Sequence, residues 1–267
     1  MPSYGLIHYR VPGTMEQFLD YAKNAGFDCA ELSFKFIMGL EGKSDESKTE
    51  SVARMVKARG LKVSALGAGN DFNVLDADAV KAQVELMKKV CRHARILGTN
   101  TIRTEGGAPK ESASPGKWVE AISNCLKRCL DFAEKDGMFL AVDNHGLITN
   151  EKGILPAIFE KVGSRRVGTN VDFMNYRWFG HDAPAVLEIV REVAPHAMHT
   201  HVKDGVGSRQ NYKGQALGDG EIPLLECVKA LKDAGYRGAW CAEYEGPEVE
   251  GGVGYKKCLD WMKKHIK

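Results

Sequence analysis

Three things the chain does without remove classes of function. No stretch approaches the roughly 20 consecutive apolar residues of a membrane span. The start, MPSYGLIHYR, also lacks the charged segment and following apolar run of a targeting peptide. A soluble, cytoplasmic protein with no membrane partner is therefore expected. Charge of one sign is not in excess: 37 Lys and Arg stand against 35 Asp and Glu, a net +2, with bases dispersed among acids. A phosphate backbone selects clustered cations, so nucleic acid is not an expected partner. Finally, no CxxC pair occurs. The seven cysteines (Cys29, Cys91, Cys125, Cys129, Cys227, Cys241 and Cys258) are odd in number and lie mostly in apolar patterns, as reduced, buried thiols do. Cys125 and Cys129 fall on one face of an expected helix, but with no further ligand nearby they read as core packing.

What is present is length, apolar content and a repeated punctuation. With 267 residues, 43% of them apolar, the chain can bury one substantial core, and a (β/α)8 barrel takes about 250 residues. One domain, 1–267, is expected. A helical segment, a glycine and a short apolar run ending in polar residues recur at Gly26, Gly60, Gly98, Gly137, Gly163 and Gly235, with Pro195 marking a seventh junction. Glycine reaches the left-handed conformation that ends helices, and proline stops them too. With a first run from Tyr4 to His8, eight strands result. Runs such as Met138 to Val142 are apolar throughout, as in parallel strands covered on both faces. Closure into an α/β barrel, a single (β/α)8 TIM barrel, is the expected fold; an open doubly wound sheet is the alternative, because junctions do not encode closure. Helix starts agree: Thr14 lies three before Gln17, and Ser114 precedes Pro115.

In a parallel barrel every strand ends on the same face, so residues just past those ends converge. The fifth expected strand ends at Asp143, the sixth at Asp172, the seventh at His201 and the eighth at Glu243; the first two intervals are 29 residues each (143 to 172, 172 to 201). The last is 42 residues (201 to 243), the excess lying in the glycine-rich segment 205–220, expected as a loop overhanging the site. Three carboxylates and an imidazole at one rim call for a cation, and oxygen donors with one nitrogen suit Mn²⁺, Mg²⁺ or Co²⁺. The rival reading is that each acid caps a helix or pairs with Arg or Lys.

Read together, Asp143-Asn144-His145-Gly146, Asn170-Val171-Asp172-Phe173-Met174-Asn175, His199-Thr200-His201-Val202-Lys203-Asp204, Gly218-Asp219-Gly220-Glu221-Ile222 and Ala242-Glu243 resemble the sugar phosphate isomerase/epimerase superfamily of xylose isomerase-like TIM barrels, over nearly the whole chain. The resemblance implies that Asp143, Asp172, His201 and Glu243 ligate one divalent ion, often manganese, with Zn²⁺ a further option. One departure stands out: the acid after the fifth strand is usually Glu, and Asp143 is one methylene shorter. It would either draw the ion toward the fifth strand or bind it less well. In the ketose 3-epimerase branch the first and last acids also exchange protons on opposite faces, where a shorter Asp143 would reach poorly.

The implied activity is a divalent-metal-dependent sugar isomerase or epimerase, moving a proton through a metal-stabilised enediolate of a keto-sugar. Glu243 is the expected general base, Asp143 its partner, and His145 and Lys203 the reserves. His145 equally reads as a donor to a metal carboxylate, and Lys203 as the ion-pair partner of Asp204. For substrate contacts, His199 shares a strand face with His201, Asn175 lies three past Asp172, and His8 and Glu105 end the first and fourth strands. Trp178 lies in an aromatic segment, 176–179, expected as a loop, which would stack on a sugar or join copies of the chain in a homo-oligomer. Three other functions compete. Endonuclease IV shares the barrel but needs further histidines that Gly67 to Asn70, Thr104 to Gly106, Asn175 and Gly218 to Gly220 do not supply. A dehydratase or lyase on a keto-sugar, keto-inositol or 3-keto-glycoside would use the same ion, and a non-catalytic sugar-binding barrel would keep it without turnover. No phosphate-cradling motif occurs, which favours an unphosphorylated sugar as the small-molecule partner.

Overall fold

The computed structural model describes residues 1–11 and 13–267. Eight parallel strands close into a barrel: β1 (Ser3–Ile7), β2 (Cys29–Ser33), β3 (Lys62–Gly67), β4 (Thr101–Glu105), β5 (Phe139–Asp143), β6 (Val167–Asp172), β7 (Ala197–Val202) and, after a hairpin of β8 (Asp204–Val206) and β9 (Lys213–Gln215), β10 (Ala239–Ala242). Neighbours run β1-β10-β7-β6-β5-β4-β3-β2, and β10 pairs back onto β1 through Ser3↔Ala239 to Leu6↔Ala242. Closure is thereby decided in favour of the TIM barrel over the open sheet.

All six junction glycines have positive φ. Gly98 (φ 76°) is representative: its backbone N–H donates to the carbonyls of Ala94 and Arg95, ending the helix Ala77–Leu97 in a conformation that a Cβ would disfavour. That helix buries Met87, Val90, Cys91, Ala94 and Leu97, a stripe at spacings of three and four that faces the sheet. Trp118–Lys135 buries Ala121, Ile122, Cys125, Leu126 and Cys129 in the same way, so Cys125 and Cys129 are core residues; all seven cysteines are free and buried. Each Leu- or Val-sized side chain so buried contributes about 1.5–3 kcal/mol against the entropy of ordering the chain. Thr14 and Gln17 form a reciprocal capping box. Ser114 makes no capping hydrogen bond; Pro115 instead opens a single 3₁₀ turn, Pro115–Lys117, before the helix begins at Trp118.

Two expected loops carry structure. Segment 205–220 contains most of the β8–β9 hairpin, and the aromatic segment is a helix, Phe173–Phe179. Register shifts fall opposite the Ala30–Glu31 step of β2, where Ser64 of β3 is the extra residue, and opposite the Thr169–Asn170 step of β6, where Met198 of β7 is. Such bulges re-aim the side chains that follow them, and both lie beside polar residues of the barrel interior.

Candidate functional site

Asp172 ends β6 and also caps the helix Phe173–Phe179: its Oδ1 accepts from the Asn175 N–H at 2.8 Å. Asn144 locks its backbone, accepting from the Asp172 N–H at 2.8 Å and donating to its carbonyl at 2.9 Å. With Oδ1 committed, Oδ2 is buried with Lys203 as its ion-pair neighbour and no other partner, and Nδ1 of His201 on β7 is likewise buried without a hydrogen bond. These two atoms lie 3.8 Å apart, and Glu243 Oε2, just past β10, lies 2.9 Å from His201 Nδ1. Buried polar atoms are rarely left unsatisfied. Two such atoms facing each other beside a second carboxylate are the donor set that a divalent ion fits, and the three ligand atoms all fall within 4.8 Å of one another.

Lys203 stands beside this trio. Its ammonium is 3.0 Å from Asp172 Oδ2, 3.2 Å from Glu243 Oε1 and 3.6 Å from Glu245 Oε2. Burial disfavours its charge, but Asp172, Glu243 and Glu245 override burial and hold the amine well above its ordinary value. Lys203 is thus a fixed cation and hydrogen-bond donor rather than a proton acceptor, and its partner is not Asp204. The Asp204 carboxylate instead accepts the backbone N–H groups of Gly205 (2.8 Å), Gly218 (2.9 Å) and Gly220 (3.1 Å), pinning segment 205–220. That segment reaches the site through Tyr212, whose hydroxyl donates to Glu245 at 2.6 Å.

Asp143 departs from expectation. Its Oδ2 takes the Arg103 guanidinium at 2.9 Å and its Oδ1 the Asn170 amide at 2.8 Å, so both oxygens are engaged and it does not join the Asp172–His201–Glu243 group. An Asp on β5 is one methylene short of where a Glu would end, and the guanidinium from neighbouring β4 fills the gap. The rival reading drawn from the sequence, capping and ion pairing, therefore describes Asp143 in full and Asp172 in part. Arg103 also meets Glu31 Oε1 at 2.6 Å and Glu105 at 3.5 Å.

The remaining candidates disperse. His199 is 1% exposed, below the site, with Nδ1 against Asn170 Oδ1 at 2.9 Å and Nε2 against Cys241 Sγ at 3.5 Å. Burial pushes its pKa down to about 4, so it is neutral at pH 7. Its neighbours are the Asn170 amide and the Cys241 thiol of the barrel interior. His8 packs its ring on Phe18 and Phe36 at 4.4 and 4.3 Å, and Glu105 is partly exposed beside Arg103. Asn175 is buried on the helix after β6, and Trp178 is half-buried on that helix rather than on a loop. His145 is exposed and its ring makes no hydrogen bond among the described residues; only its backbone is tied, to Thr149, so it is not a donor to a metal carboxylate. Glu31, Arg103 and Asn170 were missed. The available signal was a charge in the middle of an otherwise apolar strand, in Cys29-Ala30-Glu31-Leu32 and Thr101-Ile102-Arg103-Thr104.

The xylose isomerase-like TIM barrel family matches residues 19–265. Among solved structures, an IolI protein with a bound zinc atom is 16% identical, with a TM-score of 0.83 and 99% of each chain covered. D-Psicose 3-epimerase from Clostridium cellulolyticum H10 is 13% identical, with a TM-score of 0.79 and 99% of each chain covered. 3-Keto-D-glucoside 4-epimerase from E. coli is 15% identical, with a TM-score of 0.79, over 99% of this chain and 100% of its own. At such identities these likenesses show the fold. No curated protein matches the chain by sequence. With the family's match running across nearly the whole barrel, the chain belongs to the xylose isomerase-like TIM barrel family.

Proposed function

We propose that this chain is a divalent-metal-dependent enzyme that moves a proton beside the carbonyl of a keto-sugar, with the ion held by Asp172, His201 and Glu243. The observation that carries the reading is the convergence of Asp172 Oδ2, His201 Nδ1 and a Glu243 carboxylate oxygen within 4.8 Å of one another at the rim. Bound there, a divalent ion would stabilise the negative charge that develops on the carbonyl oxygen as the neighbouring C–H is deprotonated. Mn²⁺ is the first choice for this oxygen-rich donor set, and the solved IolI protein carries zinc.

Glu243 is the proton acceptor. Burial works against its charge, but Lys203 and His201 override it and keep the carboxyl well below the usual range, so it is ionised at working pH as a base must be. Lys203 orients Glu243 and donates to oxygens beside it. Asp143, neutralised by Arg103 and Asn170, is a poor second acid, so proton removal and return fall on the Glu243 side. That suits a single-face isomerisation better than a two-base epimerisation. A lyase reading is supported by the Tyr212–Glu245 pair beside Lys203, a phenol and carboxylate at the rim that would serve to protonate a departing hydroxyl. With Mn²⁺ in D₂O, free ketoses, 3-keto-glycosides and keto-inositols are incubated with the protein and followed by proton NMR. Deuterium entering next to the carbonyl of at least one is expected; no exchange across the panel would end the proton-transfer reading.

Ion binding should also displace a proton. Burial opposes the charge of His201, but Glu31, Asp172 and Glu243 override it and hold the metal-free imidazole well above its ordinary pKa. It is therefore protonated at pH 7, while an ion needs its Nδ1 lone pair. Affinity should rise about tenfold per pH unit near neutrality, the slope of one proton exchanged. Calorimetry in two buffers of different ionisation enthalpy checks it, and a proton count of zero would contradict it.

A further inference from the structure

We propose that Glu31, on β2, is the positioning residue that turns the His201 ring so that Nδ1 faces the ion site, with Arg103 holding Glu31 in place; this rests on the metal reading above. An imidazole that ligates through one nitrogen carries its proton on the other, and whatever accepts that proton fixes both tautomer and ring plane. His201 Nε2 lies 2.7 Å from Glu31 Oε2, with both side chains at most 2% exposed, so no bulk water competes for the contact. The opposite nitrogen, Nδ1, is the unpartnered atom between Glu243 and Asp172. Once an ion displaces the Nδ1 proton, the ring presents a committed donor inward and a lone pair outward.

Glu31 is itself restrained. Its other oxygen, Oε1, takes Arg103 Nε at 2.6 Å, and Arg103 is anchored beyond by Asp143 at 2.9 Å. The carboxylate bridges a guanidinium and an imidazole and cannot swing away from either without leaving a buried charge unpaired. The register shift opposite the Ala30–Glu31 step, with Ser64 of β3 the extra residue, sets how β3 meets β2 at Glu31. The shorter Asp143 acquires a use in this arrangement: it anchors Arg103, which anchors Glu31, which sets His201.

Glu31, His199 and His201 also lie close enough to suggest an ion site of their own. Protein groups already fill it. Arg103 Nε occupies Glu31 Oε1, and Asn170 Oδ1 faces His199 Nδ1 at 2.9 Å; a second ion there would meet a buried guanidinium. The cluster supports a ligand and does not replace it.

Two measurements test the role. In the unaltered protein loaded with Zn²⁺, which is diamagnetic, a long-range ¹H–¹⁵N spectrum should show His201 protonated at Nε2 and ligated through Nδ1. The reverse assignment would overturn the proposal, and a residue that merely packed beside the ring would not fix it. Separately, Glu31→Gln should weaken Zn²⁺ binding by about 10- to 100-fold in calorimetry, with circular dichroism confirming the fold. Affinity within about threefold of the unaltered protein, alongside loss of binding in Asp172→Asn, would remove the positioning role and leave the ion site standing. Unchanged binding in Asp172→Asn would instead remove the ion site and Glu31's role with it. Should Glu31→Gln fail to fold, the spectrum of the unaltered protein still decides.

Discussion

Asp172→Asn should eliminate divalent-ion binding while leaving the barrel folded. The substitution removes the negative charge and the carboxylate oxygen, Oδ2, that faces His201 Nδ1 at 3.8 Å. It keeps the side-chain volume and the capping oxygen that accepts from Asn175 at 2.8 Å, and Asn caps helices about as well as Asp. Loss of a direct ligand should exceed the roughly 100-fold that removal of an outer partner causes. The same titration on Asp143→Asn separates a three-ligand site from a four-ligand one: with both Asp143 oxygens already held by Arg103 and Asn170, its affinity should stay within about tenfold of the unaltered protein. If Asp143→Asn loses the ion as completely as Asp172→Asn, Asp143 is a ligand after all and Arg103 must move when the ion arrives. Manganese content after dialysis, by mass spectrometry, provides the independent check.

Arg103→Met should be the most destabilising single change in the barrel interior. It strands two buried carboxylates, Glu31 (1% exposed) and Asp143 (2%), that the guanidinium now neutralises. Removing one partner of a buried ion pair costs about 3–5 kcal/mol, because the uncompensated charge stays behind. For a chain of this size that corresponds to a fall in Tm on the order of 10 °C by calorimetry. The cause can be tested as well as the size. If stranded charge is responsible, the triple change Arg103→Met, Glu31→Leu, Asp143→Leu should recover most of the loss, since an apolar replacement of a whole buried network is often neutral or stabilising. A Tm fall below about 2 °C in the single variant would mean that water or a neighbouring cation replaces Arg103 readily, and the network would lose its structural weight.

Much of the fold was legible because its signals are local. Helix-ending glycines need φ > 0 whatever surrounds them, and all six junction glycines read from the sequence have positive φ. Three of the four expected ligands come together because strand ends are set by chain distance, about one strand-plus-helix unit apart. The fourth failed for a reason that chain distance cannot carry. Asp143 sits at the right position in sequence and at the end of its strand, but its partner is decided by Arg103, forty residues earlier (103 to 143) and adjacent only through the pairing of β4 with β5. The hairpin within 205–220 was hidden similarly, because Asp204 organises it through backbone N–H groups that have no sequence signature beyond glycine.

By itself, then, the sequence determined the alternation of strand and helix, the residues at the strand ends and the burial of the free cysteines in the core, all of which follow from backbone conformation and hydrophobic periodicity within a few residues. Only the tertiary structure decided that the sheet closes, that Glu31 and Arg103 point into it, and that Asp143 is neutralised while Asp172, His201 and Glu243 remain to face one another. Those outcomes depend on which strands become neighbours and on the charge balance of a buried interior, where each ionised group must find its partner across the barrel rather than along the chain.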